Sequence, residues 1–287
     1  MSKPQRGRSQ SARSRIAAQQ AEQRRKDQRR RILAVGGIAV ALLAVVGIII
    51  GALVSRSTPS QQAATSGPLP AGVQANLTVP ASTLAAVGIG SSSTGFLKPV
   101  TGSALTSGGK PEMLYIGAEW CPYCAAERWA MAVALSRFGS FTPLNGIHSS
   151  STDVYPNTAT LTFYRATYTS KYLVFTPVEN QDVNHNPLVT TTSAQQGTWA
   201  KYDPPGDSYP FIDIGNRFIA ATTYNPLVLQ GLTWSQIATD LHNPSSAVAQ
   251  GAVGSANLFT AAICKITGNA PASVCTAAPI PALQAHL

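Results

Sequence analysis

Two cysteines separated by Pro-Tyr, set between an apolar run and a helix-forming stretch, constrain this chain more than any other feature. The segment is Glu112 to Phe138, EMLYIGAEWCPYCAAERWAMAVALSRF. Met113-Leu114-Tyr115-Ile116 is a short apolar run suited to a buried strand. Beyond Pro122, the residues Cys124, Ala125, Arg128, Trp129, Ala132 and Leu135 recur at three- and four-residue steps, with no Gly or Pro until Gly139. This spacing predicts a helix with Cys121 at its N-cap and Pro122 at its first position, where the missing N–H costs nothing. Cys124 then lies one turn further on the same face, so a short-loop disulfide can close. Unpaired N–H groups and the dipole at the helix start favour a thiolate on Cys121. A lowered thiol pKa is what a thiol–disulfide exchange nucleophile needs, and Cys124, deeper in the helix, is expected to resolve.

Trp120-Cys121-Pro122-Tyr123-Cys124 after a strand resembles the active site of the thioredoxin superfamily. Its Pro-Tyr pair is similar to that of glutaredoxins and of some bacterial periplasmic disulfide oxidoreductases. The resemblance implies a thioredoxin-like α/β fold, with Cys121 and Cys124 catalytic and Trp120, Pro122 and Tyr123 beside the substrate. It also implies a cis-proline that faces the cysteines and opens a later strand. The best match is Ser208 to Ile219, so Pro210 is expected to be cis and the Tyr209 backbone to pair with an incoming peptide. The same stretch reads on its own as strand, Gly215-Asn216 turn, strand. Thr233 to His242 supplies a closing helix with Thr233 as N-cap. One position departs from the family: its buried carboxylate, six residues before the first cysteine, is Tyr115 here. Glu119 would substitute only by pointing inward, and its place at a strand end predicts exposure. Glu127 and Arg128 read as solvated or structural.

The remainder exceeds a thioredoxin core. Thr160–Arg165 and Tyr172–Val178 are expected as extra or extended strands of a β-rich insertion, and Thr190–Lys201 as a short helix. Ser245–Ile266 reads as a C-terminal helix packed on the core; Gln250, Gly251, Gly254, Ser255 and Asn257 argue against a membrane span. Cys264 and Cys275 are expected to form a structural disulfide, the alternative being a second redox pair that relays electrons to Cys121–Cys124. With Ser149–Pro156 and the Ser255–Cys275 tail, the cysteine unit resembles a bacterial family of membrane-anchored, thioredoxin-like proteins of unknown function.

Charge and hydropathy set the topology. The 287 residues carry a formal charge of +9, yet residues 1–31 hold eleven Lys/Arg against Glu22 and Asp27. From Ser57 onward nine basic residues face ten acidic ones, so nothing in the larger part points to nucleic acid. Ile32–Val54 is 23 residues without a charge, long enough to span the bilayer, and longer than the apolar core of a cleaved signal. The positive-inside rule puts residues 1–31 in the cytoplasm, 32–54 in the cell membrane as a single-pass signal anchor, and the rest outside. Residues 55–82, rich in Ser, Gln, Ala, Thr, Pro and Gly, are expected as a flexible stalk before an extracytoplasmic domain, 83–287.

The expected function is that of an anchored thiol–disulfide oxidoreductase, oxidising or isomerising, acting on thiol-containing extracytoplasmic proteins. A quinone-coupled membrane oxidase is the natural recharging partner, because the chain has one span; no cofactor is called for. A second reading is copper or zinc binding through the cysteine pair, with His148 or His185 as helper, although no resident metal site is spaced in the sequence. A third is an interaction module with a merely structural pair. Phosphate loops, Ser-His-Asp arrangements and paired carboxylates do not stand out, which leaves hydrolase and kinase chemistry unsupported.

Overall fold

The structure, a computed structural model, describes residues 66–287. The basic tail, the apolar run Ile32–Val54 and the stalk as far as residue 65 lie outside the described residues. Among the described residues no helix is long and apolar enough to cross a membrane.

In chain order, β1 (Gly67–Pro68) and α1 (Ala81–Val87) precede β2 (Lys98–Pro99), β3 (Thr106–Ser107) and β4 (Lys110–Gly117). Helix α2 (Pro122–Ser136) follows, then β5 (Gly139–Thr142), β6 (Asn145–His148), β7 (Ala159–Thr162), β8 (Thr167–Ser170) and β9 (Val174–Glu179). Helix α3 (Ser193–Tyr202) leads to the hairpin β10 (Phe211–Ile214) and β11 (Phe218–Ala220). Helices α4 (Trp234–Asp240), α5 (Gly254–Ile266), α6 (Ala272–Cys275) and α7 (Ile280–Gln284) complete a mixed α/β fold.

Strand β4 is the hub of the main sheet. It pairs in parallel with β9, Met113 opposite Phe175 and Gly117 opposite Glu179, and antiparallel with β10, Ile116 opposite Phe211. The sheet continues from β10 through β11 to β2, while β3 folds back on the start of β4. A parallel pair requires a long crossover, and α2 with the strands β5 to β8 supplies it. Side chains alternate across the sheet. Met113, Tyr115, Ile212 and Ile214 join one apolar cluster with α2 and α5, whereas Leu114, Ile116, Phe211 and Trp199 of α3 form another. Burial on both faces is why β4 reads as an unbroken apolar run.

Thirteen of the fifteen residues of α2 are buried, so the helix is apolar nearly all round. Helix α5 packs against it and continues a π-helical turn at Ala249–Val253. Asn257 of α5 donates through Nδ2 to the carbonyls of Leu84 (2.9 Å) and Gly88 (2.7 Å), satisfying the open end of α1. Cys264 and Cys275 are disulfide-bonded, their Cα atoms 5.6 Å apart, which ties α5 to α6. The β10–β11 turn places Gly215 (φ 68°) and Asn216 (φ 50°) in the left-handed region, as a type I′ hairpin turn demands.

Three expectations need correction. The stretch read as stalk is folded in from residue 66: β1 pairs with β6, and Val73 and Leu77 are 2% exposed in the core. Scattered apolar residues suffice there because the rest of the domain supplies the surface that buries them. The run Tyr172–Val178 is no insertion either, since Val174–Glu179 is the parallel partner of β4 in the main sheet. The added β structure is β1–β6–β7 and β5–β8. Third, Glu119 is not exposed but 5% accessible, held by the hydroxyl of Thr162, which donates to Oε1 at 2.6 Å.

Candidate active site

Cys121 caps α2. Its backbone is extended (φ −73°, ψ 120°), Pro122 takes the first helical position, and its Sγ accepts the Cys124 backbone N–H at 3.2 Å. Both thiols are free. Cys121 is 3% exposed and Cys124 is fully buried, so only Cys121 can be approached from outside. Hydrogen bonding from the Cys124 side chain, with smaller help from backbone N–H groups and the positive charge of Arg128, holds the Cys121 thiol below its ordinary value. Burial pushes Cys124 well above it. The pair therefore carries one ready nucleophile and one latent thiol.

Tyr209–Pro210 is a cis peptide. The pairing of Phe211 with Ile116 sets Pro210 at the end of β4 that leads to the cysteines, and the Tyr209 carbonyl oxygen lies 3.9 Å from Cys121 Sγ. Pro210 is buried, and the Tyr209 ring meets Trp120 edge-on at 5.9 Å. Trp120 is held from a second side by a loop of which only His185 stood out in the sequence, and as a possible metal ligand. Its indole N–H donates to Gln181 Oε1 at 2.8 Å, and His185 stacks on its ring at 4.6 Å. Asp182 clamps that loop by accepting the N–H groups of Asn184 and Asn186, both at 2.8 Å. The Asp-x-Asn-His-Asn cluster was the available signal, because such residues close turns on their own backbone.

A family model described as a domain of unknown function (DUF929) matches residues 97–200. No curated protein and no solved structure matches the chain. The matched span takes in β4, both free cysteines, the 180–189 loop and most of α3. It stops short of Pro210 and of the Cys264–Cys275 disulfide.

Behind the dithiol the chain buries charge. Arg128, one turn past Cys124, is fully buried and paired with Glu179 through Nε (2.8 Å) and Nη2 (2.7 Å). Nη2 also donates to the Ala118 carbonyl at 2.7 Å. Glu127 is buried too, its carboxylate taking the Thr223 N–H (2.6 Å) and hydroxyl (2.9 Å), and burial raises its pKa from 4.5 to about 8. Burial likewise raises Glu119. Of the two readings made for Glu127 and Arg128, the structural one fits and the solvated one does not. His148 packs on Trp234 at 4.3 Å, apart from the His185–Trp120 stack. Among the described residues no three His, Cys, Asp or Glu side chains converge as a metal site requires.

Tyr123, the exposed residue between the cysteines, borders a cleft of about 420 Å³. Phe96, Tyr155, Tyr224 and Pro226 line it, and none of its lining residues is charged. The exposed large apolar side chains Phe96, Tyr123, Val154 and Leu227 all lie at this cleft or one residue along the chain from it.

Proposed function

We propose that this protein is a membrane-anchored, extracytoplasmic thiol–disulfide oxidoreductase built on a thioredoxin-like domain. The observation that carries the reading is the asymmetry of the pair: Cys121 caps the helix, within 3.9 Å of the carbonyl of a cis Tyr209–Pro210 bond, while Cys124 is sealed behind it. The strand order β9–β4–β10–β11, with only the β4–β9 pair parallel, supports the thioredoxin-like assignment. Ile32–Val54 supplies the anchor, and the uncharged cleft beside Tyr123 suits an unfolded polypeptide whose cysteine lies near apolar residues.

In the oxidising direction a substrate thiolate attacks Cys121 Sγ of the disulfide form. The Cys121–Cys124 bond breaks, Cys124 leaves as a thiolate, and a mixed disulfide forms. The substrate's second thiol then displaces Cys121, so the substrate gains a disulfide and the protein holds two thiols. A quinone-coupled membrane oxidase would restore the disulfide.

The test is a redox equilibrium on the full chain in detergent, in graded glutathione buffers, with alkylation and mass spectrometry of each pair. An oxidant or isomerase equilibrates above about −200 mV and a reductant near −270 mV. A Cys121–Cys124 pair still oxidised below about −300 mV is structural, and the reading fails. Cys121→Ser should abolish exchange, whereas Cys124→Ser should accumulate the mixed disulfide, visible as a covalent adduct on a non-reducing gel.

A further inference from the structure

Two buried donors beside the dithiol have no acceptor. The Tyr115 hydroxyl and Arg128 Nη1 are shielded from solvent and hydrogen-bonded to nothing among the described residues. Buried polar groups in folded proteins are nearly always paired, so two orphans at one place call for a cause. The other guanidinium nitrogens of Arg128 are satisfied by Glu179 and the Ala118 carbonyl, and that carbonyl also accepts the Cys121 N–H at 3.2 Å.

Both orphans lie where α2 meets the sheet. Arg128 follows Cys124 by four residues on α2, which makes them neighbours on one helix face. Tyr115 comes from β4, on the sheet face that α2 covers, and its hydroxyl lies over Gly117, where a Cβ would run into it. The guanidinium carbon of Arg128 is 5.9 Å from the centre of the Tyr115 ring. The charges of Arg128 and Cys124 act on one another, Arg128 opposing the burial that holds the Cys124 proton on.

We propose that Tyr115 and Arg128 are the donor pair for the Cys124 thiolate, the group that leaves when the Cys121–Cys124 disulfide opens. This inference rests on the exchange reading above. When an incoming thiolate bonds to Cys121 Sγ, the electron pair of the broken S–S bond passes to Cys124 Sγ, in a place closed to water. Negative charge arising there is stabilised by nearby buried donors that no other group occupies, the more so in low-dielectric surroundings. In the dithiol form Cys124 is protonated, the charge is gone, and the donors stand idle. Tyr115, at the position where the thioredoxin superfamily carries a buried acid, would thus stabilise the leaving thiolate directly instead of relaying a proton.

The variant that isolates this role is Tyr115→Phe, which keeps the ring and deletes only the hydroxyl. In the full chain, opening of the Cys121–Cys124 disulfide by reduced glutathione is followed by quenching, alkylation and mass spectrometry over time, alongside the equilibrium potential. Tyr115→Phe is expected to slow opening about tenfold and to leave the potential unchanged, because the donors are idle in both the disulfide and the dithiol forms. Thermal stability should stay level or rise, because an unpaired hydroxyl is removed. An unchanged rate in the folded variant overturns the inference, even if the wild type exchanges normally, and so does a slowing matched by an equal change in the equilibrium constant. No opening in the wild type would overturn the exchange reading instead. Should Tyr115→Phe fail to fold, Arg128→Lys, which keeps the charge but gives up Nη1 together with the forked pairing to Glu179, must give the same slowing or the inference falls.

Discussion

Burial raises the Glu127 carboxyl from 4.5 to about 8 against the Thr223 hydrogen bonds, which favour its charged form. An acid whose folded pKa is raised stabilises the fold fully below its unfolded pKa and loses that contribution as pH climbs through the folded value. The window here is roughly pH 4.5 to 8, with a slope of at most about 1.4 kcal/mol per pH unit. Glu127→Gln should therefore flatten the fall in melting temperature between pH 5 and 8; an unchanged slope in calorimetry would assign it to another group. Arg128 and Glu179 follow a different logic. Leaving either charge alone in the core costs about 3–5 kcal/mol, whereas replacing both by apolar groups of similar size recovers most of it. Urea unfolding of Arg128→Met should show the loss, and the Arg128→Met, Glu179→Met double variant the recovery. Neither pairing was legible beforehand, because Arg128 and Glu179 are 51 positions apart and Glu119 meets Thr162 across 43.

Elements governed by neighbours in the chain could be read directly. Thr233 and Gln236 form a reciprocal capping box on α4, and Thr192 with Gln195 does the same on α3. Each hydrogen bond spans three residues, so the signal is local. Thr233→Ala should cost about 1 kcal/mol, read as a lower urea midpoint at constant slope, since only the cap is lost. The Gly215-Asn216 turn and the Pro122 start of α2 were legible for the same reason. Strand β9 was recognised as a strand but misplaced. Its apolar residues indicate extended, buried chain, and nothing within it specifies a parallel neighbour more than 60 residues earlier. That choice follows from the crossover, and with it Glu179 arrives beside Gly117 and within reach of Arg128.

At the scale of the whole molecule, the Cys264–Cys275 disulfide closes a loop across eleven positions. Chain-entropy reasoning gives such a crosslink about 2–3 kcal/mol. Replacing both cysteines by Ala should lower stability by that amount in urea and leave exchange at Cys121 unaltered. A matching drop in exchange rate would instead restore the electron-relay reading. Helix α5, which carries Cys264, packs on α2 and so supports the helix that bears the reactive pair.

The strand, the cysteine N-cap, the helix behind it, the hairpin after Pro210 and the helix begun by Thr233 were all readable in the order of residues. Each depends on backbone geometry and hydrogen bonds within a few residues, which the order of side chains specifies. It took the folded chain to show that Glu119, Glu127 and Arg128 are buried, that the 180–189 loop braces Trp120, and that the Tyr115 hydroxyl and Arg128 Nη1 are closed off without an acceptor. Those outcomes depend on which distant surfaces close over one another. A charged side chain in a sequence carries no mark of whether the fold will bring a partner that makes its burial tolerable.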